Sequence, residues 1–250
     1  MPRTFEVTYN PALETDRFDR FFYESTQFLK KQSSACFFGV LLLVAMLLTK
    51  NYYPLTGLVR YDFLFLLALS TQVFLLLSKM ESWREAKVIL IFHIIATVME
   101  LFKTSPEIGS WRYPETAFFR IAAVPLFTGF MYSAVGSYIA RSWRLFKFEF
   151  THYPAQKYCI ALAALIYLNF FTHHYSYDMR WILFAASLLL FGRCSLYFTI
   201  AETKRKAPLL FLFSAIAIVI WLAENIATYA GIWLYPSQDK AWRMVSSDKI

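Results

Sequence analysis

The chain carries seven long apolar blocks, at residues 34–50, 62–79, 87–103, 117–140, 157–173, 180–200 and 208–232. A helix that crosses a bilayer needs about 20 predominantly apolar residues. The blocks are continuous rather than alternating, which argues against strands and against an outer-membrane barrel. They predict an all-α fold: a polytopic transmembrane helical bundle of seven spans. Composition agrees, with 58% of 250 residues hydrophobic and 17% charged, against about 45–50% and about 25% in soluble domains. Cys36, Cys159 and Cys194 all fall inside expected spans without a CxxC pair, so neither a disulfide frame nor a zinc ribbon is expected. The net charge is +8, but the cations sit between apolar blocks. That placement is a topology signal rather than a nucleic-acid footprint, and no nucleic-acid partner is expected.

Lys and Arg in short loops set orientation. Lys79, Arg84, Lys87, Arg141, Arg144, Lys147, Lys157, Lys204, Arg205 and Lys206 follow the even-numbered spans. Lys50, Arg60, Lys103, Arg112 and Arg180 follow the odd-numbered ones. Ten against five puts the N-terminus in the cytoplasm and the C-terminus outside. Residues 14–31 place Phe18, Phe21, Phe22, Phe28 and Leu29 near helical spacing among basic residues. This predicts an amphipathic helix lying on the membrane surface, within a cytoplasmic segment 1–33.

A duplication organises the rest. Glu100 and Thr104, then Gly109, Trp111, Tyr113 and Pro114, form E-x3-T, an insert and G-x-W-x-Y-P. Glu224 and Thr228, then Gly231, Trp233, Tyr235 and Pro236, repeat the pattern. Tyr61-Asp62 answers Tyr177-Asp178, Glu81 answers Glu202, and Cys36 answers Cys159. Three spans form the unit and span four joins the copies, so the copies run parallel. The expected organisation is repeat 1 at 34–116, the linking span at 117–140, repeat 2 at 141–236 and a tail at 237–250. Repeat 2 has no counterpart of span four: either the chain ends where an eighth helix would begin, or an oligomer or a helix-donating partner replaces the missing helix.

The duplicated segments also carry the chemistry. A carboxylate in a span is costly unless paired or protonated, so it faces the bundle or a cavity. Glu100 and Glu224, with His173 and Asp178 in a short outer loop, are the candidate catalytic groups for proton transfer. Trp111, Tyr113, Trp233, Tyr235, Asn225, Thr104, Thr228 and His174 are the candidate substrate-binding groups. His93 lies on the face of Glu100, about 10 Å deeper. His173, His174 and Asp178 could hold a metal, although their spacing matches no strong metal signature; no other cofactor is expected. Arg193 is expected inside span six, snorkelling or paired with a glutamate, and Arg120 is placed to pair Glu100 or Glu115. Span seven has no lysine, so a retinal Schiff base is unavailable there.

The segments 124–139, 169–181 and 223–236, with the first Glu–Thr–Gly–Trp–Tyr–Pro segment, closely resemble an uncharacterised bacterial membrane family. It is the YoaT-like family, domain of unknown function 817. The resemblance covers nearly the whole chain and implies a bacterial cytoplasmic (inner) membrane protein without an established activity. Family members continue with a further apolar helix that this chain lacks. More distantly, the acidic spans and Gly/Trp/Tyr turns look like those of membrane carotenoid hydratases and heterodimeric lycopene cyclases. That likeness implies protonation of a polyene without a redox cofactor, with Glu100 and Glu224 as donor or carbocation stabiliser. The expected function is a cofactor-independent acid–base enzyme on a lipid or isoprenoid, a hydrophobic small molecule reached from the outer half of the bilayer. A small-solute or ion transporter and a non-catalytic membrane subunit are the alternatives.

Overall fold

The computed structural model describes residues 17–246 and is mostly helical. The expected segments 1–33 and 237–250 lie partly outside the described residues. The helices are α1 (Arg17–Asn51), α2 (Arg60–Leu77), α3 (Trp83–Lys103), α4 (Phe127–Phe146), α5 (Gln156–Thr172), α6 (Arg180–Phe191) and α7 (Leu209–Tyr229). Three of them, α1, α2 and α7, are long and apolar enough to cross a membrane.

The expected helix boundaries are met closely in α2, α3, α5 and α7. Ser82 starts α3 with a capping box: its hydroxyl accepts from the Glu85 backbone N–H at 3.3 Å, and the Glu85 carboxylate accepts from its N–H at 2.6 Å. Three boundaries differ. No break separates residues 31 and 34, so the expected surface helix and the first apolar block form one helix, about 52 Å long at 1.5 Å per residue. The fourth helix begins at Phe127 rather than near 117, because Pro125 lacks an N–H and disfavours a helix upstream. A two-stranded hairpin, β1 (Arg120–Ile121) and β2 (Val124–Pro125), occupies that stretch. The apolar block 180–200 is helical only to Phe191. Its second half forms a strand, as β-branched and aromatic residues after a glycine permit.

That strand belongs to a three-stranded antiparallel sheet, which overturns the expectation of no strands. β3 (Glu149–Thr151) pairs with β4 (Ser195–Thr199), and β4 with β5 (Lys204–Pro208); Tyr197 stands opposite Glu149 on one side and Lys206 on the other. The sheet marks one end of the molecule, the sheet end. Buried Glu24 of α1 fixes it there by accepting from Arg205 and from Thr203, the latter at 2.7 Å.

The opposite end holds the two Gly–Trp–Tyr–Pro segments and is the motif end. The core packs Phe38, Leu42 and Met46 of α1 against Tyr61, Leu64 and Ala68 of α2, Phe127 and Ala134 of α4, and Ala227 and Ala230 of α7. Helix α4 sits between α1, α2 and α3. By contrast α5 and α6 each bury one side chain, Leu162 and Leu183. Large apolar side chains cover the outward faces, including Leu77 at 77% and Leu189 at 86% exposure. Such a surface is unusual for a protein bathed in water.

Candidate functional site

Arg60, Tyr61 and Asp62 begin α2 and assemble the motif end. Arg60, only 8% exposed, donates to Glu115 at 2.6 Å, to the Met46 carbonyl at 2.8 Å and to the Ala230 carbonyl at 2.9 Å. One guanidinium thus joins α1, α2, the loop after α3 and the end of α7. Tyr61 donates to the Ile232 carbonyl at 2.7 Å. Asp62 accepts from the backbone N–H groups of Phe118 and Phe119, each at 2.9 Å. Glu115 is therefore held by Arg60 rather than by Arg120, which is exposed on β1.

This scaffold brings the two duplicated segments together. Arg112 and Leu234, the middle residues of the two W-x-Y triplets, form an isolated antiparallel bridge. Their N–H groups donate to each other's carbonyls at 3.0 and 2.9 Å. Gly109 and Gly231 precede the triplets with φ of 54° and 70°, a left-handed turn that favours glycine. The Trp111 and Tyr235 rings meet edge to face at 6.1 Å.

Glu100 lies at the centre, 2% exposed. Its Oε2 accepts from the Trp111 indole at 2.8 Å and the Tyr113 hydroxyl at 2.7 Å; its Oε1 accepts from the Tyr132 hydroxyl at 2.7 Å. Three donors thus satisfy the oxygens of a carboxyl that has almost no access to water. Glu224 is half-buried and accepts from Tyr235. Burial first, and then the charge of Glu100, push the Tyr113 hydroxyl well above its ordinary range. Burial and the hydrogen bond to Glu224 do the same for Tyr235. Both phenols are thereby held as protonated donors.

The other expected residues serve nearer partners. Thr104 donates to the Glu100 carbonyl at 2.7 Å and Thr228 to the Asn225 carbonyl at 3.2 Å. Asn225 donates to the Trp221 carbonyl and accepts from the Val245 N–H. Trp233 packs against the core. His173 and His174 lie ring on ring at 4.0 Å. His174 Nε2 stands 2.7 Å from the ammonium of buried Lys103. Burial, then the charge of Lys103, lower the His174 pKa. Asp178 accepts from Asn169 at 3.2 Å and from the Arg180 guanidinium at 2.6 Å. Burial raises its pKa, but these bonds and the Arg180 N–H outweigh that and hold it below the usual range. No group of three or more His, Cys, Asp or Glu gathers to hold a metal among the described residues, so His173, His174 and Asp178 do not meet as one metal site. Arg193 is exposed just past α6, outside any helix.

Sequence reasoning did not anticipate Tyr132, nor a second polar cluster nearer the sheet end. Buried Glu81 accepts from Ser137 and, at 2.5 Å, from Gln72. Buried Arg141 donates to Ser34 at 2.7 Å. His93 stands 3.3 Å from the Ser133 hydroxyl. The i, i+4 run Gly129, Ser133, Ser137, Arg141 is the signal in the sequence that places these groups on one helix face.

A family model described as "Protein of unknown function (DUF817)" matches residues 24–250. The chain belongs to the DUF817 family. A relative, "Uncharacterized protein YoaT" of Bacillus subtilis (strain 168), is 39% identical over 220 residues, which are 88% of this chain and 82% of that protein. No solved structure matches the chain.

Proposed function

We propose that the chain is a bacterial cytoplasmic-membrane protein that performs acid–base chemistry on a lipid or isoprenoid at its motif end. The observation that carries this reading is the meeting of Glu100 and Glu224 in one Trp/Tyr cluster across the Arg112–Leu234 bridge. Glu100, saturated by three donors, is the fixed negative charge that steadies a developing cation. Glu224, with Tyr235 as its partner, is the more accessible proton-exchanging group. The aromatic walls suit an apolar chain and a positive charge formed along it.

In this reading the seven helices cross the bilayer alternately, as two parallel three-helix repeats joined by α4. The sheet end, which bears Lys204, Arg205 and Lys206, faces the cytoplasm with the N-terminus. The helix α6 is about 18 Å long by its rise, so the residues flanking it complete its passage. The exposed apolar faces of α5 and α6 meet lipid or a partner helix.

The test is mass spectrometry of an organic-solvent extract of the detergent-purified protein, with the Glu100→Gln/Glu224→Gln double variant beside it. The expected result is a lipid or polyprenoid enriched on the wild type and lost or chemically altered on the variant. Identical extracts from both would sink the reading. The polar groups around Glu81 and His93 favour a second reading, proton-coupled transport of a small solute. Solute uptake by proteoliposomes separates the two.

A further inference from the structure

Helix α4 carries a polar face through the packed half of the molecule. Gly129, Ser133, Ser137 and Arg141 follow one another at one-turn intervals on that face, about 6 Å apart along the axis. All four are buried, with Ser133 at 1%, Ser137 at 0% and Arg141 at 2% exposure. Packing alone would favour alanine or leucine there.

The groups facing this row form a sequence of proton carriers. At the sheet end, Glu81 takes bonds from Ser137 and Gln72 and lies within electrostatic reach of Arg141. One turn further stand Ser133 and His93. His93 reaches this position because residue 129 is glycine: a Cβ there would sit 2.4 Å from the ring. Beyond His93, on the same face of α3, Glu100 is held by Tyr132, the neighbour of Ser133. Tyr235 touches Trp111 and donates to Glu224, which is half-buried at the motif end.

A second observation points to water in the same row. Among the described residues, the buried side-chain polar atoms without a protein partner are the Tyr53 hydroxyl, Gln72 Oε1, Arg141 Nε and Nη1, and the Ser142 hydroxyl. Gln72 donates to Glu81, Arg141 lies within electrostatic reach of it, and Ser142 follows Arg141 on α4. Buried polar atoms need partners, and water supplies them where protein does not. A single water bridges about 5–6 Å between oxygens at ordinary hydrogen-bond lengths, which is the spacing between successive turns.

We propose that this face of α4 is a proton path through the protein, from Glu81 through Ser137, Ser133 and His93 toward the cluster in which Glu224 exchanges protons beside Glu100. A proton that joins the Glu81 carboxylate leaves it for Ser137 or a bridging water, which releases its own proton onward. His93 takes a proton at one ring nitrogen and releases one from the other. Each hop breaks one O–H or N–H bond as it forms the next, so no oxidant, reductant or co-reactant is consumed. The path rests on the reading that Glu224 exchanges protons beside the fixed charge of Glu100, and it supplies either the enzyme or the transporter form of that reading.

The test uses the full chain in phosphatidylcholine/phosphatidylglycerol vesicles loaded with a pH-sensitive dye, under a potassium gradient with valinomycin. The wild type is expected to pass protons faster than protein-free vesicles. Ser137→Ala and His93→Gln are expected to slow that flux about a hundredfold or more, the order of effect of losing a placed proton-transfer group. Both should keep wild-type circular dichroism. Ser187→Ala on α6 removes a hydroxyl bonded only to the Leu183 carbonyl of its own helix and should leave the flux unchanged. Flux no faster than protein-free vesicles, equal flux in all variants, or equal slowing by Ser187→Ala would overturn the path. None of these outcomes touches the lipid-extract comparison, so the path and the reading beneath it fail separately.

Discussion

The first Glu–Trp–Tyr segment is enclosed and the second is open, although the two share their key residues. Glu100 is 2% exposed and accepts three donors, one of them Tyr132 from α4. Glu224 is half-buried and accepts from Tyr235 of its own segment. The difference follows the helices behind each. Around Glu100, α4 fills the space between α1, α2 and α3. Among the described residues no helix does this for α5, α6 and α7. One motif in two settings thus yields an enclosed, three-fold bonded carboxyl on one side and a more accessible one on the other. This is how environment divides two carboxyls between roles.

The largest test of that contrast is Arg60→Met beside Arg180→Met. Arg60 is buried and ties the two halves at once, so its loss leaves the Met46 and Ala230 carbonyls without their donor and should cost about 3 kcal/mol. The exposed Arg180–Asp178 pair should cost no more than about 1 kcal/mol. Thermal unfolding in detergent measures both, and equal losses would mean that the second half is as tightly held as the first.

Next comes Glu100→Gln against Glu224→Gln. The first leaves an amide facing three donors and should lose at least about 2 kcal/mol, while the second should lose about 1 kcal/mol. Equal losses in unfolding experiments would remove the asymmetry between the segments.

The smallest effect concerns pH. The folded pKa of His174 is depressed, so the neutral ring is favoured and the unfolded chain binds the proton more readily. Its contribution is present above the ordinary histidine value of about 6.5 and falls away as pH drops through it. Histidine NMR should place His174 below that value, and Lys103→Met should move it upward. A His174 resonance that ignores Lys103 would detach this loop from α3.

The helices were legible in the sequence where apolar blocks ended in loops, as at Lys103 and Thr172. They were misread where an apolar run suits both helix and strand: residues 195–199 pair with a basic partner strand instead of extending α6. The start of α4 was misplaced because Pro125 interrupts a run that hydropathy alone joins. Glu100, Trp111 and Tyr113 stood out because a second copy of their spacing exists. Tyr132 lies on α4, which has no second copy, so duplication gave no signal for it. His173, His174 and Asp178 were grouped by nearness along the chain. The fold gives His174 to Lys103 and Asp178 to Arg180.

The Arg112–Leu234 bridge has a consequence for how such chains can vary. Its two bonds use only main-chain atoms, and one copy supplies a long cation where the other supplies an aliphatic residue. The two main-chain bonds therefore survive a change of side chain at either position, although Arg112 adds an exposed ion pair with Asp239 at 3.0 Å. Proline is the exception, because it would delete the N–H that each partner offers. Two segments joined in this way can then differ in the side chains at their seam and still meet there.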